Sequence, residues 1–245
     1  MADSAGKVAL LAGASGLVGS ELLTLLLDVP DFARVYAITR RPLKHEHARL
    51  ANRIVRFETL ESQLKGLTCH TAFCCLGAPR RERSPQAIAG QLAYVLAFAR
   101  AAQAAQAQRL VVLSCAGANV RSANAAPRVK GEIEQALEAV GVPSLDILQP
   151  GPLLGLRRET GVADLARMLA MPIVNLALVG PREQYRGIAA RTVAAAMLGA
   201  ARSGRRGVYR YTYAGIVSLA GPKPPTGPAQ RPSSKTGQPP VSRAG

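Results

Sequence analysis

Residues 7–19 decide the fold of this chain, and they read Lys7-Val8-Ala9-Leu10-Leu11-Ala12-Gly13-Ala14-Ser15-Gly16-Leu17-Val18-Gly19. An apolar strand candidate leads directly into a turn with glycines at the spacing Gly-x-x-Gly-x-x-Gly. Glycine here permits a tight bend, close approach of the backbone to a pyrophosphate, and close packing of the following helix. The free N–H groups at the start of that helix favour bound phosphate. We therefore predict a dinucleotide site that includes Gly13, Ser15, Gly16, Leu17, Val18 and Gly19.

The residues after this turn alternate between helix and strand candidates. A leucine-rich helix candidate follows Gly19, and an alanine-rich stretch without internal proline predicts a second helix at 85–108. Apolar strands are predicted at 35–39, 54–57, 71–76, 110–115, 145–150 and 208–213. Units of strand, helix and strand with right-handed crossovers build a parallel, doubly wound sheet. We therefore predict an α/β fold with the Rossmann arrangement of the sheet.

Composition divides the chain into three parts. We expect residues 1–155 to form the NAD(P)-binding Rossmann core, and 156–218 to form a small C-terminal substrate-side region, or lid, that completes the same domain. Helices are predicted in that region at 162–171 and 190–202. Residues 219–245 consist mainly of small, polar and basic residues and proline. Because such a segment cannot bury apolar surface, we expect a disordered tail.

The end of the second strand indicates which dinucleotide is preferred. A carboxylate there would accept hydrogen bonds from the ribose of NAD, but the chain has Arg40 and Arg41. Guanidinium groups suit bidentate contact with a 2′-phosphate. We therefore predict NADP as the cofactor, with NAD as the alternative. A second glycine turn, Cys75-Leu76-Gly77, follows the strand at 71–76 and is predicted to contact the cofactor as well.

The net charge of +16 is concentrated late in the chain. Residues 166–245 contain twelve Lys and Arg against one acid, Glu183. Such a field attracts anions, but the arginines are not interleaved with aromatic residues, so nucleic acid is not expected as a partner. Apolar runs are too short or too charged for a membrane span, and the N-terminus does not match a signal peptide. The sequence is compatible with a homo-oligomer.

The four cysteines predict no metal site. Cys69, Cys74, Cys75 and Cys115 do not have the spacing of zinc ligands. We interpret them as reduced structural thiols, which indicates a cytoplasmic protein. The alternative is that Cys75 and Cys115, at the carboxyl ends of neighbouring strands, line the cofactor cleft.

Further motifs give the chain a family resemblance between about Lys7 and Tyr213. It resembles the atypical short-chain dehydrogenase/reductases, close to the Tat-interacting-protein-like branch, which is related to the NAD-dependent epimerases and dehydratases. The motifs are Gly13-x-x-Gly16-x-x-Gly19, Ala72-Phe73-Cys74-Cys75-Leu76-Gly77, Tyr94-Val95-Leu96-Ala97-Phe98-Ala99, Leu113-Ser114-Cys115-x-Gly117-Ala118, Val129-Lys130-Gly131-Glu132 and Pro150-x-x-Leu153-Leu154-Gly155. This resemblance implies a Rossmann domain that binds NADP or NAD, and oxidoreductase chemistry.

The resemblance also implies a reaction centre of serine, tyrosine and lysine, with the tyrosine four residues before the lysine on the same helix face. Ser114 and Lys130 match the serine and the lysine, and Lys130 is also expected to bind the nicotinamide ribose. The tyrosine position is Ala126, which cannot exchange a proton. Because proline suits the first turn of a helix, we expect this helix to start at Pro127. Tyr185, in the C-terminal region, is the candidate that could reach the cleft and replace the missing tyrosine.

Two functions follow from this pattern. The first is an NADP-dependent oxidoreductase that acts on a small carbonyl compound or alcohol and lacks the family tyrosine. The alternative is a non-catalytic NAD(P)-binding sensor or regulatory module, similar to the NmrA-like proteins. Ala126 favours the sensor, whereas Ser114 and Lys130 favour the enzyme.

Overall fold

A computed structural model of the chain describes residues 6–77, 85–155, 171, 175 and 178–221. The strands are β1 (Lys7–Ala12), β2 (Phe32–Thr39), β3 (Leu50–Ile54), β4 (Thr71–Cys74), β5 (Arg109–Leu113), β6 (Ser144–Leu148), β7 (Leu153–Leu154), β8 (Ile188–Ala189) and β9 (Gly207–Tyr211). The helices are α1 (Leu17–Asp28), α2 (Leu60–Gln63), α3 (Pro85–Ala104), α4 (Ala125–Glu138), α5 (Ala190–Arg202) and α6 (Tyr213–Ala220). Short 3₁₀ helices span Phe57–Thr59 and Gly180–Tyr185.

Seven strands form one sheet in the order β3-β2-β1-β4-β5-β6-β9, and every pair is parallel. β7 and β8 form a separate parallel pair. The chain moves outward from β1 to β3 and then crosses back to β4. This reversal beside β1 opens a crevice at the carboxyl ends of the strands, where α/β sheets of this type bind ligands. The predicted α/β fold with a doubly wound parallel sheet is confirmed.

The core consists of two apolar layers, one on each face of the sheet. On β1, Ala9 and Leu11 face the layer formed with α1, α5 and α6, whereas Leu10 and Ala12 face the layer formed with α3 and α4. All four side chains are buried. Because successive side chains of a strand alternate between faces, a strand covered on both sides has a continuous apolar sequence. This is why the central strands could be predicted.

Several element boundaries differ from the prediction, and two of these differences have a clear physical cause. The third strand is Leu50–Ile54 rather than 54–57, and Asn52 on it donates to the Ala37 carbonyl oxygen at 3.1 Å. As an edge strand that is only partly buried, it has no apolar run. Helix α4 begins at Ala125, two residues before Pro127. Proline is tolerated anywhere in the first turn because its missing N–H has no partner there in any helix.

The C-terminal region matches the prediction in part. Helix α5 covers the predicted 190–202, and β9 ends at Tyr211 rather than at 213. Helix α6 was not predicted, and it extends to Ala220, into the segment expected to be a tail. The rest of that tail, from residue 222, and the predicted helix at 162–171 apart from Met171 lie outside the described residues.

Candidate functional site

The glycine turn after β1 has no room for side chains. Gly13 has a φ of +83°, and a Cβ on it would lie 2.6 Å from the Cys75 carbonyl oxygen. A Cβ on Gly19 would lie 2.0 Å from the Gly13 carbonyl oxygen, and one on Gly16 would lie 3.2 Å from the same atom. Packing alone therefore requires glycine at Gly13 and Gly19. Gly19, in the first turn of α1, lies against Gly13, and Gly13 lies against Cys75 just after β4.

The start of α1 is open above this turn. Gly16 caps the helix with an extended backbone, and neither a capping side chain nor an acidic residue is present in the described first turn. Ser15 and Gly16 are exposed, and Leu17 is half-buried against Gly155. Val18 is 2% exposed, so only its main chain can contact a ligand. An uncapped helix N-terminus behind a glycine cradle fits the phosphates of a dinucleotide.

The two arginines predicted to select NADP lie at the carboxyl end of β2. Arg40 and Arg41 are both exposed, and neither makes a hydrogen bond or ion pair with the described part of the chain. Glu58 lies within electrostatic range of Arg40: its own backbone N–H, the Tyr94 hydroxyl, Arg56 and Arg40 lower the pKa of this carboxyl group. Arg40 and Arg41 therefore border the crevice with their guanidinium groups available.

The second glycine turn contributes main chain rather than a thiol. The Cys75 N–H donates to the Ala12 carbonyl oxygen at 2.9 Å, and the Cys75 thiol points into the core, 3.7 Å from Met197 Sδ. Burial raises the pKa of this thiol. The Cys75 thiol therefore faces the core, and within the described residues only the main chain of Cys75 is available to the crevice. Leu76 is half-buried and Gly77 is exposed.

Lys130 and Ser114 meet at the carboxyl end of β5. Lys130 is half-buried on α4, and its Nζ donates to the Leu113 carbonyl oxygen at 3.2 Å. Burial lowers the pKa of its ammonium group, and Cys74, Cys115 and other nearby acidic groups oppose that effect. Ser114 is 7% exposed. The structure therefore brings together the two residues proposed as catalytic, whereas the exposed Ala126 adds no functional group.

Glu134 completes this cluster and was not predicted. It is 4% exposed and accepts a hydrogen bond from the Ser114 hydroxyl. Gln149 Nε2 donates to its Oε2 at 2.9 Å, and Arg210 Nε forms an ion pair with it at 3.2 Å. The only sequence signal was spacing, because Ala126, Lys130 and Glu134 recur every four residues along one helix face. The single hydroxyl proton of Ser114 is thus directed at a paired carboxylate.

Tyr185 reaches the same edge of the sheet from the C-terminal region. Its hydroxyl oxygen would lie 3.1 Å from a Cβ at Gly117, in the loop that follows Ser114. Tyr185 is 44% exposed. The structure therefore places Tyr185, the candidate to replace the missing tyrosine at Ala126, against the loop after β5.

The described residues contain no group of three or more His, Cys, Asp or Glu residues that could hold a metal ion. None of the helices in the described ranges has the length and apolar character to span a bilayer.

Comparison with known proteins gives clear relatives. No family model matches the chain. The protein fmp52 of Aspergillus fumigatus, named as mitochondrial, is 34% identical over 165 residues, which cover 64% of this chain and 70% of that protein. Protein HTATIP2 of Rattus norvegicus is 33% identical over 159 residues, covering 63% of this chain and 66% of the relative.

Solved structures support the same fold. The enzyme WbmG of Bordetella bronchiseptica in complex with NAD superposes with a TM-score of 0.61 at 16% identity, covering 86% of this chain and 74% of the other. MoeE5 in complex with UDP-glucose and NAD gives 0.60 at 19% identity, covering 88% and 81%. Both neighbours bind NAD, so the preference for NADP stays a prediction.

The predicted cytoplasmic location is wrong. Relatives from Aspergillus fumigatus, Aspergillus clavatus and Emericella nidulans are all named mitochondrial. The prediction depended on reduced cysteines, but burial alone protects these thiols: it raises the pKa of Cys69 to about 12 and that of Cys74 to about 11. A protonated, buried thiol is unreactive in any compartment. Thiol content therefore does not identify the location.

The family follows from the relatives and the fold from the solved structures. The glycine cradle and Ser114 follow strands β1 and β5 of this sheet, and Lys130 lies on α4, which packs on one of its faces. The chain therefore belongs to the family that contains Fmp52 and HTATIP2, and it has the fold of the NAD-binding short-chain dehydrogenases/reductases and epimerases.

Proposed function

We propose that this chain binds NADP(H) at the glycine turn and acts as an oxidoreductase on a small carbonyl compound or alcohol. The observation that carries the proposal is the cradle made by Gly13, Gly16 and Gly19, which leaves the start of α1 uncapped. Backbone N–H groups and the helix dipole there stabilise a pyrophosphate. The nicotinamide of such a cofactor supplies a hydride to a carbonyl carbon or accepts one from an alcohol.

The preference for NADP rests on charge at the end of β2. Arg40 and Arg41 are exposed and unpaired within the described residues, so neither has to break an ion pair before it contacts a phosphate. A charge-assisted hydrogen bond contributes about 1.5–3 kcal/mol. We therefore assign the 2′-phosphate to these two guanidinium groups.

Lys130 is assigned to the nicotinamide ribose. Its ammonium group is held at the Leu113 carbonyl oxygen, at the carboxyl end of β5, with two further protons available. Ser114 and the backbone of Leu76 and Gly77 line the same edge. Two observations support the assignment of Lys130 to the ribose: the crevice lies at this edge of the sheet, and the Lys130 side chain is half-buried there.

A non-catalytic sensor remains the second candidate because of one specific contact. The Ser114 hydroxyl donates to Glu134 and therefore cannot at the same time donate to a substrate oxygen. With Ala126 in place of a phenol, cofactor binding without turnover would support a regulatory module that reports the state of the dinucleotide.

Calorimetric titration with NADPH and NADH tests the cofactor assignment. We expect NADPH to bind at least tenfold more tightly, and the Arg40→Ala/Arg41→Ala variant to lose that difference while keeping its affinity for NADH. The matched control is Arg191→Ala/Arg206→Ala, which removes two exposed arginines elsewhere and should leave both affinities within about twofold, since distant surface charges are screened by salt. Equal affinity of the unmodified chain for both cofactors contradicts the assignment.

A further inference from the structure

Carbonyl reduction needs a proton donor that the residues described so far do not supply. When a hydride adds to a carbonyl carbon, the oxygen becomes an alkoxide and must be protonated. Ser114 directs its proton to Glu134, which Arg210 keeps paired. Lys130 donates one proton to the Leu113 carbonyl oxygen and is assigned with its other two to the nicotinamide ribose, and Ala126 has no side-chain proton to donate. A further donor at this edge of the sheet is required.

Tyr185 lies against the loop that follows Ser114. Its hydroxyl oxygen and Cε1 would lie 3.1 Å and 3.4 Å from a Cβ at Gly117, so the phenol rests on the bare backbone of that residue. Gly117 has a φ of +75°, in a turn that the Ala118 N–H closes onto the Cys115 carbonyl oxygen at 3.2 Å. This turn directly follows Ser114. A Cβ at Gly117 would be in tight contact with the phenol, which would have to shift slightly.

The segment that carries Tyr185 is held on both sides. A Cβ on Gly151, which follows β6, would lie 2.3 Å from the Arg186 carbonyl oxygen and 2.9 Å from that of Tyr185. Arg186 Nε donates to the Leu178 carbonyl oxygen at 2.7 Å, and its guanidinium group lies over the Tyr213 ring. The backbone next to the phenol is therefore anchored to the loop after β6 and to α6.

The hydroxyl of Tyr185 is free to act within the described part of the chain. No hydrogen bond to it is formed there, and the side chain is 44% exposed. It therefore can bind a substrate oxygen without giving up another partner, and water can return a proton to it.

We infer that Tyr185 is the proton donor of the reductase reaction, taking the role that Ala126 leaves vacant; this rests on the proposed function. A bound reduced nicotinamide would supply the hydride for the new C–H bond and would itself be oxidised, while the electron pair of the carbonyl π bond moves to oxygen. That oxygen takes the phenolic proton of Tyr185, and the O–H bond of the tyrosine breaks. Solvent water then protonates the tyrosinate again.

The test compares Tyr185→Phe with the unmodified chain. NADPH oxidation is followed with methylglyoxal, benzaldehyde and diacetyl, and NADPH affinity is measured by calorimetry. Because phenylalanine keeps the ring on Gly117, we expect turnover to fall about 100-fold or more, the usual range for loss of a general acid. NADPH affinity should change by less than about twofold. Tyr36→Phe, on β2, is the matched control and should keep full turnover.

A second variant tests the chemical role. Adding Ala126→Tyr to Tyr185→Phe places a phenol one helical turn before Lys130, and we expect it to recover at least tenfold of the lost turnover. Full activity of Tyr185→Phe overturns the inference, as does an equal loss of turnover and NADPH affinity. NADPH binding by the unmodified chain without turnover of any of the three carbonyls overturns the Tyr185 inference together with the oxidoreductase activity, and it leaves the cofactor assignment in place. Absence of NADPH binding overturns the proposed function with it.

Discussion

Among single residues, Lys130 shows most directly how a buried charged group opposes folding. Burial lowers the pKa of its ammonium group, so the folded chain holds this proton less tightly than the unfolded chain does. Between the lowered pKa and the ordinary lysine value of about 10.4, the unfolded state binds more protons. The contribution of Lys130 to the free energy of unfolding therefore rises with pH across that window and is least favourable below it.

Lys130→Met should therefore make the fold more stable and weaken the binding of NADPH. The variant keeps an apolar stem and removes the charge, so we expect a higher melting temperature than the unmodified chain at pH 7, with a difference that narrows as the pH approaches 10. NADPH affinity should fall about tenfold or more, because a charge-assisted hydrogen bond is lost. Thermal unfolding at both pH values and calorimetry measure the two effects.

Lys65→Met serves as the control for this experiment, because Lys65 is exposed. It should change neither the pH dependence of the melting temperature nor the affinity. A stability difference for Lys130→Met that does not vary between pH 7 and pH 10 contradicts the assignment of the penalty to a buried ammonium group.

Among the elements, α1 and α3 both contain a helical glycine, and the two glycines have different roles. A Cβ on Gly19 of α1 would lie 2.0 Å from the Gly13 carbonyl oxygen. A Cβ on Gly90 of α3 would meet no atom of the described residues within 4 Å. Gly19 is therefore required for the contact between helix and turn, whereas Gly90 only weakens its helix.

The pair Gly19→Ala and Gly90→Ala tests this difference. Gly19→Ala should destabilise the fold by about 1–3 kcal/mol through overpacking and should reduce dinucleotide binding below detection, since α1 must move away from the cradle. Gly90→Ala should stabilise the fold by about 0.5–1 kcal/mol and leave binding unchanged. Urea unfolding and calorimetry give both quantities. Normal NADPH affinity in Gly19→Ala would mean that the cradle tolerates a shifted helix.

Across the whole molecule, the sequence predicted the strands that a local apolar pattern determines. It did not predict the contacts between residues that are far apart in the chain. β1, β4, β5 and β6 are covered on both faces, so their apolar runs were recognisable. The edge strand β3 and the helix α6 lack such a signal. Glu134 could not be assigned from sequence, because its partners Ser114, Gln149 and Arg210 lie on or beside three different strands. The position of Tyr185 on Gly117 likewise depends on the folded loops.

One further long-range cluster joins β5, β6 and β9 beneath the site. Arg109 is 7% exposed and forms an ion pair with Asp146, which is fully buried. Ser144 and Tyr211 also donate to this carboxylate, at 3.2 Å and 2.8 Å. Burial and the hydrogen bond to Asp146 raise the pKa of Tyr211 to about 12. Asp146 therefore balances a buried guanidinium group and connects three strands.

Asp146→Asn should destabilise the whole fold while leaving the candidate site chemically intact. The variant keeps the size of the side chain but leaves Arg109 without a counter-charge, and breaking a buried ion pair costs about 3–5 kcal/mol. That is a large share of the roughly 5–15 kcal/mol by which a domain is stable. Asp28→Asn, at an exposed position, should change the free energy of unfolding by no more than about 0.5 kcal/mol. Urea unfolding measures both free energies. A loss below about 1 kcal/mol for Asp146→Asn would mean that the Ser203 hydroxyl and the Arg205 carbonyl oxygen, which also accept hydrogen bonds from Arg109, are sufficient for its charge. NADPH affinity measured below the unfolding transition should stay unchanged, because this cluster stabilises the sheet and takes no part in the crevice.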